Sequence, residues 1–136
     1  MWILRCYDPG GKGGGFHSWL DSLIPEVQSE IDNAFEILVP LSDWRKTTTY
    51  EDLRGACEGL GEVKVDVTRN WNDGGGTRTR MFRILVFHGP DRREVTLLYG
   101  FEKITGSEYS HACPAALQRK EGVLRDGRRA PICSFP

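Results

Sequence analysis

The sequence predicts an α+β domain whose elements run β-α-α-β-β-β-α. Three observations carry this expectation. Apolar residues recur at helical spacing in the first third of the chain, and the period switches to two at "GEVKVDV". Two apolar runs then flank a short polar turn in "MFRILVFHGPDRREVTLLYGFEKI". At 136 residues the chain suits a single domain over 1–136, with one core.

"WILRCY" reads as a short first strand, closed by the turn signal Asp8-Pro9-Gly10-Gly11, and residues 1–14 form this strand and a glycine-rich loop. "FHSWLDSLI" places Phe16, Trp19, Leu20 and Leu23 at helical spacing. Pro25 suits the first turn of a second helix, where its missing N–H costs nothing. Val27, Ile31, Ala34, Phe35 and Leu38 then form one apolar stripe that ends at Pro40. Two helices folded back on each other follow from this pattern.

"LSDWRKTTTYEDLRGAC" is polar and irregular, with one helical turn expected around Tyr50 to Leu53. In "GEVKVDV", Val63, Val65 and Val67 take one face and Glu62, Lys64 and Asp66 the other. "TRNWNDGGGTRT" reads as a long hairpin loop, "RMFRILVF" and "REVTLLYGFEKI" as two further strands. "SHACPAALQRKEGVLRDG" reads as the last helix, with Pro114 in its first turn and Gly127 just past its end. Residues 126–136 are an irregular tail. The expected product is a small, antiparallel-rich sheet with the helices on one face.

No apolar run is long enough to span a membrane. "MWILRCYDPGGKGGG" has neither a basic leader nor a signal-length apolar stretch, so a cytoplasmic location is expected. Cys6, Cys57, Cys113 and Cys133 form no C-x-x-C pair and stand apart from the three histidines, so no metal site and no cofactor is expected. In such a chain the simplest state is four reduced thiols. Net charge is −1 overall, but residues 1–59 carry −5 and residues 60–136 carry +4, an asymmetry compatible with an anionic ligand on the C-terminal half.

Strand alternation puts Met81, Arg83, Leu85 and Phe87 on one face, and Tyr99, Phe101 and Lys103 on one face of the next strand. If the strands are neighbours, Lys64 and Arg83 converge on the sheet face opposite the helices, where an uncovered pair of cations could hold a phosphodiester. Alternatively, Arg83 pairs with Glu62 or Glu102, and Lys103 simply ends its strand in water.

"LRGACEGLGEVKV", "FRILVFHGPDRREVTLLYGFEKI" and "ACPAALQRK" resemble, in order and spacing, segments of the RelE/HigB-like toxins, and most closely the phage-related members of the RelE/ParE superfamily. The resemblance runs from about Gly15 to Arg125. It implies a RelE-like β-α-α-β-β-β-α fold, with two N-terminal helices on one sheet face and a C-terminal helix. It also implies a ribosome-dependent mRNA endoribonuclease of a toxin–antitoxin system, in which a ribose 2′-OH attacks the adjacent phosphorus.

On this resemblance, Arg83 stabilises the phosphoryl oxygens, Lys103 positions the phosphate, and Lys64 orients RNA or assists proton transfer. The tail "RRAPICSFP" has neither tyrosine nor histidine, so Tyr109 and His111 become the acid–base candidates. Arg119, Lys120, Arg80 and Trp71 complete the implied RNA-binding set; Trp71 could stack on a base or cap the edge of the core. Trp44 suits the core edge better. Implied partners are mRNA, the ribosome and a cognate antitoxin, often a helix-turn-helix protein in such operons. A catalytically silent phage-derived interaction module on the same fold is the alternative, as is a ParE-like gyrase-inhibiting toxin.

Overall fold

Alternating and helical apolar patterns produce a five-stranded sheet with helices on both faces. The computed structural model describes residues 1–10 and 14–136. Its elements are β1 (Ile3–Cys6), α1 (Phe16–Asp21), α2 (Pro25–Leu38), β2 (Tyr50–Asp52), β3 (Gly61–Asn70), β4 (Thr77–His88), β5 (Glu94–Lys103) and α3 (Tyr109–Arg125). Short 3₁₀ turns lie at Trp44–Lys46, Gly55–Cys57 and Gly127–Arg129. The sheet order is β1-β5-β4-β3-β2, with β1 parallel to β5 and every other pair antiparallel.

One face of the sheet carries Val63, Val65, Val67, Phe82, Ile84, Val86, Val95 and Leu97 against Phe16, Leu20, Val27, Ile31, Phe35 and Leu38 of the two N-terminal helices. Trp44 is wholly buried in this core and donates its indole N–H to Leu38 O at 2.7 Å. The helix α2 starts with Pro25 at its first turn, as its spacing predicts.

The opposite face is not open. Ala112, Cys113, Ala116 and Val123 of α3 pack on Leu60, Leu85, Phe87, Leu98 and Phe101. The helices therefore divide between two faces, which corrects the expectation that they share one. The reason lies in β4 and β5: both are apolar on both faces, and such strands require cover on each side. A register shift between Leu85 and Val86 turns Leu98 toward α3 and leaves Tyr99, Phe101 and Lys103 on that same face.

Three local readings also change. Tyr50–Asp52 is a strand rather than a helical turn, because it pairs with Gly61–Val63 at the sheet edge. The β3–β4 hairpin extends to Asn70↔Thr77, so the loop is six residues long, not twelve; Thr68 and Thr79 share a hydroxyl hydrogen bond of 2.6 Å across it. The helix α3 begins at Tyr109, with Pro114 inside it; Glu108 accepts from the N–H groups of Ile104, Thr105 and Gly106 and so fixes the turn ahead of it.

The cysteines are paired, Cys6 with Cys133 and Cys57 with Cys113, which corrects the expectation of four thiols. The sheet brings each pair together: the tail lies along β1, with Cys6 N–H donating to Pro131 O and Cys133 N–H to Leu4 O. The tail is thus a pinned cover for the outer edge of β1, where unpaired strand groups would otherwise be exposed. Among the described residues, no helix is long and apolar enough to cross a membrane.

Candidate functional site

Period-two alternation places Glu62, Lys64 and Asp66 of β3 beside Met81, Arg83 and Leu85 of β4, and these beside Tyr99, Phe101 and Lys103 of β5. Lys64 is directly opposite Arg83, and Met81 opposite Lys103. The first turn of α3 sits over one end of this array, and the Tyr109 hydroxyl donates to Glu62 Oε1. Four of the residues expected to be catalytic, Lys64, Arg83, Lys103 and Tyr109, therefore gather on one face. They are joined by carboxylates that the sequence reading did not place there as a group.

Those carboxylates set the electrostatics. Arg83 Nη1 donates to Asp66 Oδ1 at 2.6 Å and to Phe82 O at 3.0 Å, and its Nε lies 3.6 Å from Glu62 Oε1. The side chains of Arg83 and Glu62 are 6% and 4% exposed, whereas Asp66 is 49% exposed. Lys64 Nζ is 2.7 Å from Glu51 Oε2 across β2 and β3, and this contact holds the Glu51 carboxyl below its ordinary range. Lys103 Nζ stands 5.7 Å from the centroid of the Tyr109 ring, a cation–π geometry, and has no carboxylate within ion-pair distance among the described residues. Two of the three cations thus meet carboxylates, Lys64 at Glu51 and Arg83 at Glu62 and Asp66, and the expectation of an uncovered cationic face is corrected.

Tyr109 is held well above the ordinary phenol range, first by burial and then by its hydrogen bond to Glu62. At neutral pH it keeps its proton. Its hydroxyl donates its hydrogen bond to Glu62.

The other expected residues lie apart from this array. Arg80 is on the α1/α2 face, held by two hydrogen bonds to Glu102 at 2.7 and 2.6 Å. Its guanidinium stacks 4.6 Å from Trp71, whose indole N–H donates to Arg78 O; Trp71 packs on the core edge and is not a free stacking platform. Lys120 donates to Gly59 O at 2.8 Å. His111 is exposed, 6.1 Å from the Tyr99 ring, and Arg119 donates to Leu98 O and Gly14 O. The residue missed by sequence reasoning is Asp66, although the alternation Glu62-Lys64-Asp66 already put it on the Arg83 face.

No family model matches the chain, and neither does a curated protein or a solved structure. Fold and site define a small α+β domain with a five-stranded mixed sheet, and a charge-balanced polar cluster at the start of its last helix.

Proposed function

We propose that this chain is a binding module on a RelE/HigB-like scaffold, without nuclease activity of its own. The observation that carries this reading is the clasp on Arg83, held between buried Glu62 and half-open Asp66. A guanidinium that stabilises charge on a transferring phosphoryl group must present free N–H groups to it, preorganised where that charge develops. Here one terminal nitrogen is shared between Asp66 and a carbonyl, and α3 covers the adjoining surface.

The paired cysteines support the same reading. Disulfides persist in oxidising compartments, whereas translating ribosomes work where thiols are kept reduced. An extracytoplasmic or otherwise oxidising setting is part of the proposal.

A second reading, the ribosome-dependent mRNA endoribonuclease, is favoured by one observation: Lys64, Arg83, Lys103 and Tyr109 share a face as that chemistry requires. Asp66 and Glu51 are then the exposed partners that a bound phosphate replaces. One experiment separates the two. The purified, disulfide-intact protein is added to translating ribosomes, and the message is mapped for breaks. The binding module leaves it intact; codon-spaced cleavage that Arg83→Ala abolishes would establish the nuclease instead. DNA breaks on induction, with message intact, would point to gyrase poisoning.

A further inference from the structure

We propose that the cleft between α3, the residue following β1 and the 3₁₀ turn at Gly127–Arg129 is a binding site for a small anion carrying a phosphate or diphosphate group. The cleft has a volume of about 530 Å³, within the range of small-molecule sites. One stripe of α3 forms its floor: His111, Ala115, Gln118, Gly122 and Arg125 recur at spacings of three and four. Ala115 and Gly122 keep that floor low.

Charge in this cleft differs from the cluster around Arg83. Its lining includes Arg119, Arg125, Arg129 and His111, and no carboxylate. Asp126, in the adjoining turn, is engaged by Arg128, whose Nε lies 3.0 Å from its Oδ1. Arg119 is already fixed. Its guanidinium lies 4.7 Å from the centroid of Tyr7 and 5.1 Å from that of Tyr99, and its terminal nitrogens donate to Leu98 O at 2.8 Å and Gly14 O at 2.7 Å.

Those acceptors are neutral carbonyls, so they orient the cation without cancelling its charge. Arg125 and Arg129 are exposed and have no ion pair among the described residues. One preset guanidinium and two adjustable ones around a concave surface focus a positive field and can close in on phosphate oxygens in pairs. Phosphate fits better than a monocarboxylate, because three arginines offer more donors than two oxygens accept.

The inference stands independently of whether the chain cuts RNA. It is tested by calorimetric titration of the full, disulfide-intact protein with pyrophosphate and with ADP, at low and at physiological salt. Saturable binding of one equivalent is expected. Arg125→Ala with Arg129→Ala should weaken it by about a hundredfold, since each charge-assisted contact is worth roughly tenfold.

Both side chains are exposed, so an unchanged near-UV spectrum will certify the fold of the double variant. Arg92→Ala, in the exposed turn before β5, should leave binding as it was. Absence of binding to both probes at millimolar concentration would overturn the proposal. Equal weakening by Arg92→Ala would do so too, because it would reduce the effect to net charge.

Discussion

Arg83 and Asp66 are joined across β4 and β3 by an ion pair of 2.6 Å, one side chain almost wholly enclosed and the other half open to solvent. Behind them Glu62 is enclosed as well, and it takes the Tyr109 hydroxyl at the first turn of α3. The network therefore ties three elements together, and its charges were removed from water only because they face one another.

Arg83→Met should destabilise the fold by about 3–5 kcal/mol, because it leaves Glu62 charged and enclosed without its cation. Combining it with Glu62→Gln should recover most of that loss. Asp66→Asn, at the open end, should cost about 1 kcal/mol or less. Urea denaturation of the three variants checks the order. Equal losses for Arg83→Met alone and in the pair would contradict the enclosed-charge account.

The disulfides close long stretches of chain, with sequence separations of 127 and 56 residues. On loop entropy each removes roughly 4–5 kcal/mol of unfolded-state freedom. Replacing Cys6 and Cys133 by serine should lower the melting temperature markedly and release the tail from β1. Thiol titration of the denatured, unreduced protein should find no free sulfhydryl; finding four would return the chain to the reduced state expected from its opening residues.

His88 gives stability a pH dependence. Its imidazole, among Trp2, Trp44 and Tyr50, lies below its ordinary value of 6.5, mainly because burial disfavours the cation and also because Arg45 is near; Asp52 and Asp43 act in the opposite direction. The unfolded chain then binds the proton more readily than the folded one. Stability should fall as pH drops below about 6.5 and level off once the folded state is protonated too. His88→Gln should flatten that part of the curve in chemical denaturation at a series of pH values.

Gly100 lies under Trp19, and a Cβ built there overlaps the indole ring. Gly100→Ala should therefore shift α1 off β5 and cost about 1–3 kcal/mol. Quenching or a red shift of tryptophan emission, alongside a lower urea midpoint, would report the displacement. An unchanged midpoint would mean that Trp19 swings aside freely.

Much of the architecture was legible in the chain because it is written in local periods. The stripe Val27-Ile31-Phe35-Leu38 specifies α2, and Val63-Val65-Val67 specifies the inner face of β3. The order of the other elements followed from those periods and from the turn residues between them, but the edge strand Tyr50–Asp52 did not, because three residues are too short to show a period. The candidate site was legible as a set of residues on one face, since alternation decides that directly. Its electrical character was not, because periodicity says which side a residue takes and nothing about which opposite charge stands next to it.

Local pattern alone thus determined three helices and four of the five strands, the inner faces, and the grouping of Lys64 with Arg83 and of Phe101 with Lys103. Only the folded chain decided that α3 covers the second face, that Cys6 meets Cys133, and that Arg83 is neutralised by Glu62 and Asp66. Each of those depends on groups far apart along the chain approaching within a few ångströms. Such an approach is set by how whole layers pack to bury apolar surface, and no window of neighbouring residues encodes it.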